Sequence, residues 1–509
     1  MSRAAFHPLR NGGSVPIAEV PDLPVDDLRD AVVHETVRGN RLASFFASPV
    51  PGTPGLSLVA VVADDEESLL LVARARLLGE GYEALTPACP QAHWFEREIA
   101  EQYGVVPKGH PWLKPIRFHP SWRAGHDAWG RPEGERPLPG VTSYFRVEGE
   151  EVHEVAVGPV HAGVIEPGHF RFQCHGEEVF HLEISLGYQH RDVERALVGG
   201  PRRGTLAKVE TLAGDTTVAH ATAYAELVEA LGGAAAPPRG SALRGLALEL
   251  ERLANHTGDL GALANDVGFL PTSSFCGRLR GDFLNLTALL CGSRFGRGMV
   301  RPGGVGFDLE TERAATLLAR LSPARRDVAE AIELLRETAS VGSRFEGTGV
   351  VSPRDAEEVG LVGPAARACG IDRDVRHDHP SGIYRYVHVP VVTATTGDVA
   401  ARAAVRALEI ERSADFVAEQ AAALPATPAL GEVPAPRPER LGVSLVEGWR
   451  GEVCHVAFTD GEGRFARYKV TDPSFHNWFG LALALRGEQI SDFPLCNKSF
   501  NLSYCGHDL

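Results

Sequence analysis

Apolar residues recur at helical spacing over five long stretches of the chain. The spacing is clearest in Leu243, Leu246, Leu250, Leu253 and Leu260, which lie three, four or seven residues apart. Such a stripe covers one face of an α-helix and must pack against another element. We therefore predict a helical bundle whose interior is the main core. The predicted helices cover residues 206–231, 241–266, 280–290, 309–335 and 398–423.

Two other stretches alternate apolar and polar residues, as strands with one buried face do. The first covers 170–184 and alternates on both sides of His175-Gly176. The second joins 451–458 to 464–470 through Asp460-Gly461. Asp-Gly and similar pairs favour the tight turns of β-hairpins. The sequence therefore predicts two antiparallel hairpins beside the bundle.

The first 130 residues have a mixed pattern. Residues 56–63 are a short apolar run typical of a buried strand, and 66–78 mix charged and apolar positions at helical spacing. Residues 131–152 are rich in proline, glycine and charge, which is typical of a linker. We predict an α+β fold: a small N-terminal α+β domain over 1–130, a linker over 131–152, and a mainly α-helical bundle domain with peripheral antiparallel β-hairpins over 153–509.

Composition excludes several classes of protein. With 509 residues, of which 44% are apolar and 23% charged, the chain has the composition of a soluble globular protein with more than one core. Its formal charge of -15 disfavours binding to nucleic acid or anionic lipid. The chain starts without an apolar signal segment, and no apolar run approaches the ~18 residues of a membrane helix. We therefore expect a cytoplasmic protein that reaches a membrane only through partners.

The eight cysteines are scattered along the chain, and no two form a C-x-x-C pair. A zinc or iron–sulfur site held by this chain alone is therefore weakly supported. Isolated cysteines in a long chain are typical of buried thiols in a reducing compartment.

Three blocks between residues 158 and 224 carry the strongest functional signal. They read G-P-V-H-A-G-V-I-E-P-G-H-F-R-F from 158, L-G-Y-Q-H-R-D-V-E-R from 186, and E-T-L-A-G-D-T-T-V-A-H-A-T-A-Y from 210. Together they resemble the large subunit of membrane-linked nickel-iron hydrogenases of the formate-hydrogenlyase kind, also called group 4. They also resemble the 49-kDa quinone-site subunit of respiratory complex I.

A fourth block reads H-W-F-E-R-E-I-A-E-Q-Y-G from 93 and G-H-P-W-L from 109. It resembles the signature of the 30-kDa subunit of complex I, and the formate-hydrogenlyase family fuses the two modules in this order. For any single residue of the block, the simpler interpretation is an amphipathic helix with an exposed Glu/Arg face. The resemblance implies that this domain clamps neighbouring subunits.

The hydrogenases of this family bind nickel and iron through two C-x-x-C motifs. When this sequence is aligned with the two motifs, the four ligand positions fall on Ala213, Thr216, Ser503 and Gly506, while Cys505 lies one position off. A methyl group or a hydroxyl cannot replace the thiolate that such a site needs. The resemblance therefore implies a hydrogenase fold without a metal in this chain.

The same resemblance suggests candidate site residues. Tyr224 matches the tyrosine that donates to the quinone headgroup in complex I, although a tyrosine on a bundle helix is most often a core residue. Glu166 matches an acidic position where a buried carboxylate relays protons, its alternative being a surface turn. His169 lies near the position of the partner histidine of complex I, and His161 is either a redox-site residue or a structural donor.

Two further family blocks lie in the second half. Glu251 and Arg252 belong to one of them, and they form either a solvated helix face or a charged subunit interface. Residues 447–452, E-G-W-R-G-E, resemble the E-x-P-R-G-E segment of both families, with Trp449 in place of proline.

Three functions agree with these observations. The first is a subunit of a complex I-like NADH:quinone oxidoreductase or energy-converting, hydrogenase-related complex that passes electrons, with quinone as a candidate acceptor, without hydrogen turnover. The second is an active hydrogenase with unusual ligation by Cys496 and Cys505. The third is a structural scaffold of such a complex.

The resemblance also implies partners. They are an iron–sulfur subunit that holds a 4Fe-4S cluster, antiporter-like membrane subunits and subunits of a quinone module, with no nucleic acid. The chain would then lie on the inner face of the cell membrane.

Overall fold

The computed structural model describes residues 5–50, 55–132, 134–161 and 166–509. Short 3-10 turns occur at Ile17–Glu19, Pro90–Ala92, Gly382–Arg385 and Ile490–Asp492. The first part of the chain contains β1 (His7–Leu9), β2 (Gly13–Pro16), β3 (Asp22–Leu23), α1 (Val25–Val37), β4 (Arg41–Pro49), β5 (Leu56–Asp64), β6 (Leu69–Leu77), β7 (Gly81–Glu83), α2 (His93–Tyr103) and β8 (Val106–Lys108).

The larger second part begins with a three-stranded sheet and continues mainly as helices. Its elements are β9 (Val152–Val157), β10 (His169–His175), β11 (Glu178–Ser185), α3 (Val193–Leu197), α4 (Thr205–Val209), α5 (Thr217–Gly232), α6 (Pro238–Asp266), α7 (Leu270–Cys291), β12 (Val300–Arg301), β13 (Gly304–Val305), α8 (Thr311–Glu337), α9 (Ala339–Phe345), α10 (Pro353–Glu358), α11 (Gly363–Arg367), α12 (Val375–Asp378), α13 (Val399–Ala422), β14 (Arg440–Gly448), β15 (Gly451–Thr459), β16 (Phe465–Thr471), α14 (Pro473–Ala484), α15 (Phe493–Phe500) and α16 (Tyr504–Asp508). This mixture confirms the predicted fold class.

The N-terminal sheet has the strand order β1-β6-β5-β4, and β3 adds to it in parallel with β6. The predicted strand over 56–63 is confirmed as β5. The predicted helix over 66–78 is wrong, because this stretch is β6 and pairs with β5 on one side and β1 on the other. Burial on both faces makes its apolar run continuous, and only Arg74 and Arg76 show the alternation of a strand.

A second sheet, β16-β15-β14-β2, packs against the first. One apolar cluster joins Phe46 and Val59 of the N-terminal sheet to Val443 and Val456 of the second sheet. The edge strand β2 comes from the start of the chain and pairs antiparallel with β14 over residues 440–443. The two parts are therefore joined by shared packing as well as by the segment over 131–152, and the domain boundaries themselves stay a prediction.

The helical core is formed by α6, α7, α8 and α13, which pack on one another. The five leucines that carried the helical prediction are all buried. The predicted helix over 206–231 is instead two helices, α4 and α5, separated by residues 210–216. Gly214-Asp215 lies in this break, where residues that disfavour a helix interior form a loop. Among the described residues, no helix is both long enough and apolar enough to cross a membrane.

Helix α2 buries the carboxylates that were expected to form an exposed face. Glu96 accepts hydrogen bonds from the backbone N–H groups of Leu85 and Thr86 (2.8 and 3.0 Å). Glu98 accepts from the ammonium group of Lys469 on β16 (2.6 Å). Both glutamates are fully buried. Both carboxylates therefore face the interior, where Glu96 binds the preceding loop and Glu98 joins α2 to the second sheet.

Buried ion pairs also tie the helices together. Glu409 of α13 accepts hydrogen bonds from Arg367 Nη2 (2.7 Å), His256 Nε2 (2.9 Å) and Arg252 Nη1 (3.3 Å). Arg252 Nη2 donates in addition to the carbonyl oxygen of Glu447 (2.8 Å). Burial alone would raise the pKa of Glu409, but the Arg367 guanidinium holds this pKa well below its usual range. The prediction that Arg252 lies on a solvated face or at a subunit interface is wrong, because its guanidinium is buried inside the bundle and binds Glu409 and the carbonyl oxygen of Glu447.

Replacing Glu409 by glutamine should destabilise the fold strongly. The change removes a buried carboxylate on which two guanidinium groups converge, and breaking such a group typically costs about 3–5 kcal/mol. Asp282→Asn provides the control, because Asp282 pairs with Arg278 on an exposed helix face (2.8 Å) and should cost less than about 1 kcal/mol. Urea denaturation followed by tryptophan fluorescence measures both, and equal losses would contradict the assignment.

Candidate functional site

The two segments that match the hydrogenase ligand motifs meet in the structure. One is the break between α4 and α5, and the other is the start of α16. Arg191 Nη2 donates to the carbonyl oxygens of Leu212 (3.0 Å) and Cys505 (3.3 Å) and so joins both segments. The Cys505 thiol also interacts with the backbone of Gly214. The fold therefore preserves the place where the four ligand positions converge.

Hydroxyl groups and backbone atoms occupy this place. Ser503 Oγ accepts a hydrogen bond from the Gly506 N–H (2.9 Å) and so caps the N-terminus of α16. A Cβ atom built on Gly506 would lie 2.7 Å from the carboxyl carbon of Asp472, which leaves no room for a cysteine side chain. Ala213 and Thr216 contribute a methyl group and a hydroxyl. These donors do not fit nickel and iron, and the described residues contain no cluster of three or more metal-binding side chains.

An ion pair between Arg450 and Asp215 lies at the centre of the site. Arg450 Nη1 and Nη2 donate to the two carboxylate oxygens of Asp215 (2.6 and 2.8 Å), and Nη1 also donates to the Thr216 hydroxyl (3.1 Å). Burial alone would raise the pKa of Asp215, but Arg450 holds it below its usual value. Trp449 stacks under the guanidinium at 3.9 Å and donates from Nε1 to the Asp215 carbonyl oxygen (3.0 Å). The tryptophan that replaces the family's proline thus supports this pair.

Glu251 of α6 faces the first turn of α5. Its carboxyl oxygens accept hydrogen bonds from the backbone N–H groups of Val218 (2.7 Å) and Ala219 (3.3 Å). Burial raises the pKa of Glu251 to about 8, although the two N–H donors act in the opposite direction. Both positions predicted for Glu251, solvent and subunit interface, are wrong. The residue is a buried carboxyl group with a raised pKa beside the candidate site.

A chain of buried hydrogen bonds starts at the same site. His220 Nε2 lies 3.0 Å from Asp472 Oδ2, His220 Nδ1 lies 3.0 Å from His455 Nε2, and His455 Nδ1 lies 2.7 Å from the Tyr468 hydroxyl. None of the four residues is more than 1% exposed. Burial would raise the pKa of Asp472, but His220 and Arg450 hold it below its usual value, and burial lowers the pKa of His455 well below its usual range.

The geometry fits one arrangement of donors in the chain. The pKa of Asp472 lies below its usual value, so its carboxylate accepts from His220 Nε2. His220 Nδ1 then accepts from His455 Nε2, and His455 Nδ1 accepts from the Tyr468 hydroxyl. Sequence patterns do not reveal this relay, because its members come from α5, β15 and β16 and from the residue after β16. No local spacing connects them.

Tyr224 lies at the far end of the relay. Its ring packs against Tyr468 and Phe465, with centroids 6.5 Å apart in both cases, within an apolar cluster that includes Leu227 and Leu509. The residue is only 3% exposed, and its hydroxyl has no hydrogen-bond partner among the described residues. Burial raises the pKa of Tyr224 above its usual value. An unpartnered phenol in an apolar wall fits a donor to a carbonyl oxygen.

Glu166 lies at the other side, against the start of α16. Its carboxylate oxygens accept from the backbone N–H groups of Tyr504 and Cys505, both at 3.3 Å. Burial, followed by the charge of Glu166, raises the pKa of the Cys505 thiol to about 11. Glu166 therefore contacts the segment that carries two of the four ligand positions, and residues 162–165 of its own motif lie outside the described residues.

The two candidate histidines bind the backbone of their own loop. His161 Nε2 lies 3.0 Å from the carbonyl oxygen of Gly168, and His169 Nδ1 lies 3.2 Å from that of Gly158. His169 Nε2 accepts from Arg171 Nε (3.2 Å). Among the described residues, neither histidine contacts Tyr224. The structure thus brings both histidines together beside β10 and leaves Tyr224 in a separate cluster.

Cys496 and Cys505, the alternative metal ligands, have different surroundings. Cys496 Sγ lies against Gly349, and its thiol is close to the charge of Arg402. Cys505 interacts instead with Glu166, Ser503 and the Gly214 backbone. Burial is the largest cause that raises the pKa of both thiols. The contacts described for the two thiols have no residue in common, so the described part of the chain does not bring them together as a ligand pair.

Comparisons with known proteins agree with this geometry. Residues 40–131 match the family described as the 30-kDa subunit of the respiratory-chain NADH dehydrogenase, and residues 266–442 match that of its 49-kDa subunit. The chain is 30% identical to hydrogenase-4 component G of Escherichia coli over 87% of its own length and 79% of that protein's.

Two further relatives cover a smaller part of the chain. The carbon monoxide-induced hydrogenase of Rhodospirillum rubrum is 30% identical over 69% of this chain and 97% of its own. The NADH-quinone oxidoreductase subunit 4 of Thermus thermophilus is 30% identical over 67% of this chain and 90% of its own. The resemblance seen in the motifs is confirmed: the chain belongs to the family of fused 30-kDa and 49-kDa complex I-type oxidoreductase subunits that includes the large subunits of group 4 hydrogenases.

Proposed function

We propose that this chain serves a complex I-like redox complex in which proton and electron transfer to a quinone-type acceptor has replaced hydrogen turnover. One observation carries the proposal. The segments that hold nickel and iron in the hydrogenases still meet, but the Arg450–Asp215 ion pair and the Ser503 cap lie between them. A buried guanidinium repels a metal cation, and no thiolate of the former motifs remains to offset that repulsion.

Proton-exchanging groups surround the proposed site. Glu251 is a buried carboxyl group with a pKa of about 8, and protons exchange readily at such a group near neutral pH. The relay from Asp472 ends at Tyr468, which packs against Tyr224. Burial raises the pKa of Tyr468 well above its usual value, so the negative charge stays on Asp472 and the Tyr468 hydroxyl keeps its proton. We infer that the relay fixes the orientation of Tyr468 in the wall that contacts Tyr224.

The proposed acceptor is a quinone, written here as substrate. The Tyr224 phenol would donate to one of its carbonyl oxygens and stabilise the negative charge that develops during reduction. Glu166, with His169 and His161 in the same loop, would exchange protons on the side of α16. Electrons would arrive from a 4Fe-4S cluster in an iron–sulfur partner subunit, because the chain offers no cluster ligands of its own.

The proposed partners and the proposed location rest on the names of the relatives. A membrane-bound hydrogenase subunit alpha of Pyrococcus furiosus and NADH-quinone oxidoreductase subunits are among them. We therefore propose antiporter-like and quinone-module membrane subunits as partners, with this chain attached to the inner face of the cell membrane through them. The net charge of -15 argues against direct adsorption to anionic lipid.

A structural scaffold is the second candidate function. The specific observation in its favour is the close aromatic packing around Tyr224, which is equally typical of an ordinary core residue. The two functions differ in what the Tyr224 hydroxyl does, so its removal distinguishes them.

The purified complex should contain no stoichiometric nickel in this chain, because the former ligand positions offer no thiolate. Inductively coupled plasma mass spectrometry on complex grown with added nickel measures this. Iron from the partner's cluster serves as the internal control for an intact complex. A content of about one nickel per chain would refute the proposal.

Tyr224→Phe should slow quinone reduction by the assembled complex about 100-fold or more, since it removes a donor to developing negative charge and leaves the packing intact. Tyr386→Phe is the matched control, because Tyr386 is 83% exposed and its hydroxyl should not affect turnover. The measurement is the initial rate with a soluble quinone analogue. An unchanged rate for Tyr224→Phe in an assembled complex would favour the scaffold.

Glu251→Gln should change how stability depends on pH. The folded chain keeps the Glu251 proton up to a pKa of about 8, whereas the ordinary value is 4.5. The stability that this proton contributes is complete below pH 4.5, the ordinary pKa of a glutamate, and is lost as the pH rises through about 8. From about pH 5 to about pH 9, wild type should lose a few kcal/mol relative to Glu251→Gln.

Urea denaturation at the two pH values measures this difference. Glu312→Gln, at an exposed position of α8, is the matched control and should differ from wild type by a constant amount. If Glu251→Gln also differs by a constant amount, Glu251 does not hold the proton.

A further inference from the structure

A cavity of about 500 Å³ lies beside α2. Helices α2 and α14, strand β11 and the loop over 110–112 line it, and it is open to solvent on one side. Aromatic rings supply most of the wall, among them Trp94, Trp112, Phe145, Trp478 and Phe479. Pockets of about 300–1,000 Å³ with apolar walls and a few polar groups are typical of small-molecule sites.

Arg97 of α2 is the charged group of this wall. The residue is only 6% exposed, and its guanidinium stacks on Trp94 at 4.5 Å. Nε and Nη2 donate to the carbonyl oxygens of Lys114 (2.8 Å) and Pro115 (2.9 Å). Among the described residues, Nη1 has no hydrogen-bond partner and the guanidinium forms no ion pair.

Burial lowers the pKa of Arg97 to about 10, which reflects the cost of this cation in an apolar wall. The nearest carboxylates, Glu183 and Glu101, act on it only over a longer distance. Glu101 accepts instead from the backbone N–H groups of Arg117 (2.9 Å) and Phe118 (2.6 Å). A buried charge without a counterion is costly, so a positive charge kept here points to an anion from outside the chain.

The remaining polar groups of the cavity do not neutralise Arg97. Glu183 is paired with the ammonium group of Lys114 and accepts from Trp112 Nε1 (3.0 Å). Burial lowers the pKa of His93 well below its usual range and the pKa of His110 to about 4, so both imidazoles are neutral. His93 Nε2 is buried and has no hydrogen-bond partner among the described residues. Of the charged residues that line the cavity, Glu183 has its cation in Lys114, whereas Arg97 has no carboxylate at hydrogen-bond distance among the described residues.

We propose that this cavity binds a small amphipathic organic anion, with its carboxylate on Arg97 Nη1 and its apolar body against the aromatic wall. The geometry combines a charge-assisted hydrogen bond with burial of apolar surface, and each of these favours the same kind of ligand. The site is separate from the Arg450–Asp215 site and does not depend on the function proposed for it.

The test uses the full chain in its assembled complex and a decanoate that carries a photoreactive diazirine at its apolar end. After illumination, mass spectrometry identifies the labelled peptides. We expect label within α2, the loop over 110–112 or α14, and competition by decanoate but not by decanol, which has the same chain without the charge. No label at these peptides, or equal competition by decanol, would overturn the proposal.

Two variants of the cavity wall test whether the anion binds at Arg97. Arg97→Met removes the charge and keeps an unbranched apolar side chain, so labelling should fall about tenfold or more, in line with the loss of a charge-assisted bond. Because Arg97 also holds two backbone carbonyls, Ala482→Phe provides a second variant that fills the cavity from α14 and leaves Arg97 in place. It should also abolish labelling.

Arg320→Met, at an exposed position of α8, is the matched control and should label like wild type. Undiminished labelling of both cavity variants in assembled complexes would show that the anion binds elsewhere. If a partner subunit fills the cavity, the complex will take no label there, which also overturns the proposal.

Discussion

The turn between β14 and β15 is the constraint on which the rest of the structure depends. Three buried charges within six residues each hold a different part of the molecule. Glu447 accepts from Arg367 in the helical core (2.8 Å), Arg450 binds Asp215 at the candidate site (2.6 Å), and Glu452 accepts from a guanidinium of β4 (3.1 Å). Since buried ions are stable only when paired with good geometry, the sheets, the bundle and the site must be in place together.

The same turn explains how the site keeps its shape although its four matched ligand positions carry no thiolate. Asp215 and Arg450 satisfy each other's charge, Trp449 covers the guanidinium, and the backbone of α16 is capped by Ser503. The charged groups at the centre of the described site therefore have partners within the chain. The rigidity that thiolates and metal give a hydrogenase is supplied here by an ion pair and hydrogen bonds.

Periodicity was enough to predict most of the architecture. The α7, α8 and α13 helices were found because one face of each is buried and the other is not. Helix α6 and the β15–β16 hairpin are buried almost throughout, and they were found from the leucine spacing and from the Asp-Gly turn. The β6 and β14 strands were mistaken or missed, because burial on both faces removes the alternation by which a strand is recognised. Local patterns report exposure, so they fail where the chain is covered on all sides.

The candidate site could be predicted only in part. The motif match singled out Glu166, which lies beside α16 in the structure, and the proton-relay role that the match implies stays a prediction. The Asp472–His220–His455–Tyr468 relay could not be found, because its contacts join residues up to 252 positions apart. The carboxylates of α2 looked like a solvated face for a similar reason: the partner of Glu98 lies on β16, in a part of the sequence that no helical pattern connects to it.

The pairing of β2 with β14 has a consequence for how this chain is made. Residues 13–16 leave the ribosome long before their partners over 440–443. Until then, the apolar face of the N-terminal sheet that contacts Val443 and Val456 has nothing from the second sheet to cover it. Contacts this far apart in sequence form slowly, and the exposed strands meanwhile attract other chains. Newly made chains should therefore need a chaperone until translation has ended.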